Sequence, residues 1–192
     1  LASKEGIAYM GDNKGVVNAG TSANTTTTTA VNYKSIIGFA RDEGTVTING
    51  NVEAKDAKAK TNKWQNIAGL AVKTKTGTKG GTVTINGDVD IHGMAGFADG
   101  TGSKVDLKGT GNKVSTETDG ALVAKNGGVV NFGGGTITHK NNGTVAGKND
   151  HESSVPFYAD NNSKINFEGD GTNPSRTTIE MADGVLMSEE AT

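Results

Sequence analysis

Few residues in this chain have the type and spacing for chemistry. Asp88 and Asp90 share parity on a stretch that reads as a strand, which sets their side chains about 6–7 Å apart. At that separation two carboxylates can divide acid and base roles across a glycosidic bond. An outward strand face is ordinarily polar, however. Neighbouring stretches offer Asn51/Glu53 and Lys113/Ser115 at the matching positions, so the pair also fits a solvated surface. Glu168 and Asp170 flank Gly169 and read as solvated corner residues. His92, His139 and His151 are far apart, and none lies in an HExxH motif. With no cysteine to complete a zinc set, each reads as a surface histidine. The stretches GTGSK (100–104), GTGNK (109–113) and GGG (133–135) lack the full spacing of a phosphate loop. No GGxGxD calcium repeat occurs either. These residues predict no enzyme, no metal and no cofactor.

One group invites binding rather than catalysis. Lys55, Lys58, Lys60 and Lys63 stand with Trp64 in EAKDAKAKTNKWQN (53–66). Such a basic, aromatic-tipped loop could grip an anionic glycan or an acidic protein surface. The plainer alternative is a solvated loop whose Trp64 packs back on its scaffold.

Those residues must be positioned by something, and composition limits what. Of 192 residues, 29 are Gly, 2 are Pro and none is Cys, while aromatics make up 5%. So few large side chains cannot fill a round core. Thr, Val, Asn and Gly favour strands and tight corners over helices. The formal net charge is −2 and no basic face stands out, which argues against nucleic acid as a partner. No apolar run reaches the roughly 20 residues of a membrane helix, and no signal peptide opens the chain.

The chain repeats itself. GTVTINGNV (44–52) returns as GTVTINGDV (81–89). The apolar pair Val46/Ile48 recurs as Val83/Ile85, Val105/Leu107, Val130/Phe132 and Ile165/Phe167, with Val17/Ala19 as a weaker first copy. A glycine follows two residues later at Gly50, Gly87, Gly109, Gly134 and Gly169, whereas Gly20 comes one residue early. Upstream, Ala40, Ala124 and Ala159 lie six residues before the pair, separated from it by the polar, turn-like stretches RDEGT, KNGGV and DNNSK. Ala98 and Met10 take the same part with one extra residue, and Ala71 does so with the insertion KTKTGTKGG (73–81). Past the glycine corner a third ladder runs Val31, Val52, Val89, Val114, Ile137 and Ile179. Successive copies lie about 30 residues apart, the period of a solenoid.

Three short strands and three polar corners per unit predict an all-β fold: a right-handed parallel β-helix of about six coils. One coil cannot bury enough apolar surface to order its own backbone. Stacked coils share a continuous core, which is why like residues recur in phase. An antiparallel sandwich would suit the Asn-Gly corners but gives no reason for three sub-patterns to stay in step. Neither end reads as a polar cap, so residues 1–192 are expected to be one β-helix segment cut from a longer solenoid. A further apolar patch, GVLM (184–187), starts a unit the chain does not finish. Insertions at 20–30, 53–66, 73–81, 138–155 and 169–178 are expected to project from the shaft.

The motifs GTVTINGNV, GTVTINGDV, GGVVNFGGGTI and SKINFEGDG resemble coils of type V autotransporter passenger domains, particularly large Gram-negative outer-membrane adhesins and vacuolating-toxin-like passengers. The resemblance covers nearly the whole chain and is more specific for fold than for any one protein. It implies export to the cell surface or beyond, with membrane attachment only through a C-terminal β-barrel that this sequence lacks. It implies a structural and adhesive segment that presents loops 20–30, 53–66 and 138–155 to a host or bacterial surface protein or glycan. No Gly-Asp-Ser-Gly protease signature is present. A β-helix polysaccharide-degrading enzyme and a membrane-active toxin segment stand as the alternatives.

Overall fold

The computed structural model describes residues 6–20, 27–29, 35–55, 66–116, 120–139, 155–168 and 177–181. Six coils follow one another. The first contains β1 (Gly6–Gly11), β2 (Val16–Ala19) and β3 (Thr27–Thr29). The second contains β4 (Ser35–Arg41), β5 (Thr45–Ile48) and β6 (Asn51–Ala54). The third has β7 (Asn66–Val72), β8 (Thr82–Ile85) and the first half of β9 (Val89–Asp99). The second half of β9 opens the fourth coil, which continues through β10 (Lys104–Leu107) and β11 (Asn112–Thr116). The fifth is β12 (Leu122–Lys125), β13 (Val129–Phe132) and β14 (Gly135–His139). The sixth is β15 (Phe157–Ala159), β16 (Lys164–Phe167) and β17 (Thr177–Met181).

Every pairing is parallel and joins equivalent strands of adjacent coils, so the fold is a parallel β-helix with three faces. Face A stacks β1, β4, β7, β9, β12 and β15. Face B stacks β2, β5, β8, β10, β13 and β16. Face C stacks β3, β6, β9, β11, β14 and β17. On face B the apolar pair stays in register throughout. Val17, Val46, Val83, Val105, Val130 and Ile165 form one column, with Ala19, Ile48, Ile85, Leu107, Phe132 and Phe167 beside it. The middle members of both columns are buried. Thr47 and Thr84 face outward between them, the alternation that Thr-Val-Thr-Ile dictates.

Face A carries the thinnest part of the core. Gly38, Gly69 and Gly96 stack over one another. A methyl group at Gly69 would lie 2.8 Å from Val105 Cγ1, and one at Gly38 would lie 2.9 Å from Val83 Cγ1. The glycine column is the slot into which the valine column of face B fits. Ala40, Ala71, Ala98, Ala124 and Ala159 form the next inward column. Its first member is Gly11, which pairs with Ala40 and is buried, and not Met10, which is 40% exposed. A one-residue shift moves a strand side chain to the opposite face, so the expected place of Met10 is corrected here. The side of the same sheet away from the core is apolar too: Met10, Phe39, Leu70, Phe97, Val123 and Tyr158 form a single column, of which Val123 is itself buried.

The third ladder also departs from expectation. Val52 stacks on Val89, but Val114 stacks on Ile91, and Ile137 and Ile179 continue that second column. The register partner of Val52 in the first coil is Thr28, whereas Val31 lies outside the described residues. Corner length is the cause. Gly109-Thr110-Gly111 lengthens the turn ahead of β11, so Asn112 takes the place above Val89.

In the first, second, fifth and sixth coils the corners from face A to face B are tight four-residue turns with two left-handed residues at their centre. Asn13-Lys14, Asp42-Glu43 and Asn161-Asn162 all have positive φ, between 43° and 67°. Asn126-Gly127 takes the same form. In each, the fourth N–H donates to the first carbonyl: Gly15 to Asp12, Gly44 to Arg41, Gly128 to Lys125 and Ser163 to Asp160. Asn and Asp tolerate this conformation better than other non-glycine residues, which accounts for their place in RDEGT and DNNSK.

Candidate functional site

Side chains outside the core are used first to tie coil to coil. Asn86 Nδ2 donates to Asn49 Oδ1 at 2.7 Å. Asn166 Nδ2 donates to Asn131 Oδ1 at 2.8 Å, and Asn131 Nδ2 donates to Asp106 Oδ1 at 2.5 Å. Buried Asn112 makes three bonds: it accepts from the Val89 N–H and donates to the Gly109 and Gly134 carbonyls. Arg41 pairs with Asp12 at 2.6 Å, and that hydrogen bond holds the Asp12 carboxyl below the usual carboxylate range.

Asp88 and Asp90 are drawn into the same work. Asp88 lies just before β9 rather than on the strand. Its N–H donates to Asn51 Oδ1, and its Oδ1 accepts from the Gly111 N–H at 2.9 Å, so it pins three successive coils together. Asp90 forms an ion pair with Lys55 at 2.6 Å. The expected pair of matched, solvated carboxylates is therefore corrected: one is a corner bracket and the other is neutralised.

Among the predicted basic residues, Lys55 follows β6 and turns toward the shaft, meeting Asp90 and, at 3.8 Å, Glu53. The hydrogen bond that its ammonium donates to Asp90 raises its pKa above the ordinary lysine range. Lys58, Lys60, Lys63 and Trp64 lie outside the described residues. Among the histidines, His92 faces outward on β9, and His151 lies outside the described residues. His139 is fully buried, its Nδ1 2.7 Å from the Thr116 hydroxyl. It is a core residue and not the expected surface histidine, because its position on β14 has the inward parity of Ile137. Glu168 is exposed, as expected, and Asp170 lies outside the described residues.

Of the insertions, 73–81 is described through its length. It does not project. Thr74 donates twice to the Asp42 carboxylate, Thr78 donates to Glu43, and Gly80 N–H donates to the Thr101 carbonyl. The loop lies flat across two corners because these acceptors are offered at its base. The other insertions fall mostly outside the described residues.

An open cleft of about 490 Å³ lies on the outer surface of face C. Its floor is a grid of side chains set by the register. Asp90, Lys113 and Thr136 lie in one row along the axis, with His92, Ser115 and Thr138 in the next. Lys55 closes one end, and Glu180 at the other accepts from the Thr138 hydroxyl at 3.0 Å. Reasoning from the sequence missed this cleft, although the polar pair Lys113/Ser115 at the positions matching the Asp90 stretch was its signal. No cluster of His, Cys, Asp and Glu suited to a metal ion occurs among the described residues. Comparison with family models, with curated proteins and with solved structures found no match to this chain.

Proposed function

We propose that this chain is a structural and adhesive segment of a secreted bacterial surface protein, of the autotransporter passenger kind that its coils resemble. It acts as a stiff shaft whose insertions meet a host or bacterial surface. The observation that supports this reading is the investment of polar residues in coil-to-coil ties. Asx side chains that could serve a reaction instead bridge adjacent coils, at Asn49–Asn86, Asp106–Asn131–Asn166 and Asn51–Asp88–Gly111. A shaft that carries load between an envelope and a partner needs that distribution, and a catalytic cleft does not.

The purified chain, coated on beads, should adhere to host epithelial cells or to bacterial cells. Variants lacking 20–30, 53–66 or 138–155 should lose adhesion while keeping the β-rich circular dichroism spectrum. Equal adhesion by all three variants and by beads coated with albumin would overturn the adhesive reading.

A further inference from the structure

We infer that the outer side of face A is the contact between two copies of this chain, packed face to face about a two-fold axis with their solenoid axes antiparallel. This goes beyond the adhesive reading and does not depend on it. Beside the column through Phe39, Leu70 and Phe97, a second apolar column on the same side stacks Ile7, Ile36, Ile67 and Met94. Ile7 and Met10, at the start of the two columns, are 42% and 40% exposed, and the members in the next three coils are half-buried. Val123 is buried and adds nothing, so the apolar strip covers four coils. A continuous apolar strip with a polar rim marks a surface for another protein.

The rim says which protein. Toward face B the next outward positions are Asp12, Arg41, Val72, Asp99 and Lys125 in successive coils. Along the axis their signs run negative, positive, neutral, negative, positive. Reversed about Val72, this row is its own complement: Asp12 faces Lys125 and Arg41 faces Asp99, each twice in the dimer. A two-fold axis through Val72, along the strand direction, makes that reversal and sets every column opposite its own copy. Phe39 then meets Phe97, Ile36 meets Met94, and Leu70 and Ile67 meet themselves. This self-complementarity is what an isologous interface requires. Sliding one copy by a coil, in one direction or the other, sets Asp12 against Asp99 or Arg41 against Lys125, and like charges exclude both registers. Parallel axes would set the charged row against the Ile36 column and leave charges facing hydrocarbon. Five coils at about 4.8 Å, and a width of about five residues, give a contact near 400 Å² per copy. That is about half the standard size, so the dimer is a weak one, of micromolar affinity.

Sedimentation velocity of the whole chain over about 5–500 µM should show monomer giving way to dimer and to nothing larger. Leu70→Glu sets two carboxylates against each other on the axis and should raise the dissociation constant about tenfold or more. Thr47→Glu, the control on the outer side of face B, should leave it within about twofold. Arg41→Glu sets a carboxylate against Asp99, and Asp99→Arg sets a guanidinium against Arg41; each alone should weaken the dimer about tenfold. The two together restore opposite signs and should return affinity to within about threefold of the unaltered chain. Arg41→Glu also breaks the tie to Asp12. Positions 41 and 99 lie two coils apart within one chain, so recovery in the double variant reports contact between copies and not repair of the fold. Monomer throughout, oligomers larger than a dimer, an undiminished dimer in Leu70→Glu, or no recovery in the double variant would each overturn the proposal. A monomer whose melting temperature falls in Leu70→Glu would overturn it in favour of a cover supplied by the same chain.

Discussion

Asn112 illustrates what single residues do in this molecule. Its amide occupies the interior where the next apolar rung would stand, and it satisfies Val89, Gly109 and Gly134 together. Asn112→Ala leaves one buried donor and two carbonyls without that partner, and each orphaned group costs about 1–3 kcal/mol. We expect a loss of about 2 kcal/mol or more, read as a lower urea midpoint with an unchanged slope. Nothing in GTGNK separates Asn112 from the exposed asparagines of other corners, because its burial follows from corner length and not from composition. The same limit explains Asp88. Its type and spacing suggested chemistry, yet its carboxylate is engaged by a backbone N–H of the next coil, a partner 23 residues away. What was legible at this scale was the polar, turn-forming character of RDEGT, KNGGV and DNNSK. The pairs of left-handed residues within them were not.

Among the elements, the strands of face B were fully legible. Two apolar positions alternating with threonine, followed by a glycine, leave one register only. Face A was legible by its alanines, but its first rung was misplaced by one residue. Gly11 is as small as the site demands, and Met10 beside it looked like the better core residue. The consequence of the glycine column is testable. Gly69→Ala forces a methyl group to 2.8 Å from Val105 Cγ1 and 3.3 Å from Val83 Cγ1. Such overpacking costs about 1–3 kcal/mol. Val105→Ala alone opens a cavity at a comparable cost, about 2 kcal/mol. Together, the two changes should be less destabilising than their sum, by about 1 kcal/mol in a denaturation cycle. Strict additivity would show that the two faces do not press on each other there.

For the whole molecule, stability should behave as a sum over coils. Deleting residues 83–104 joins Thr82 to Val105 and sets β10 directly above β5, Val105 over Val46. The shorter protein should remain folded and monodisperse, with a lower melting temperature and a smaller denaturant slope in proportion to the coil lost. Aggregation or a coil-like spectrum would mean that stacking is not modular. The architecture itself was legible because every coil repeats one pattern. The cleft was not, since a surface site arises from register between coils and leaves no mark in any one of them.

The corners divide the perimeter unequally. Tight four-residue turns join face A to face B in every coil but the third, and there the insertion 73–81 is bound flat by Asp42 and Glu43. The long connections leave instead from the other two edges. The edge between faces A and B is thus a smooth keel. Along that keel two such rods, or a rod and a wall, could run side by side with only close-held turns between them.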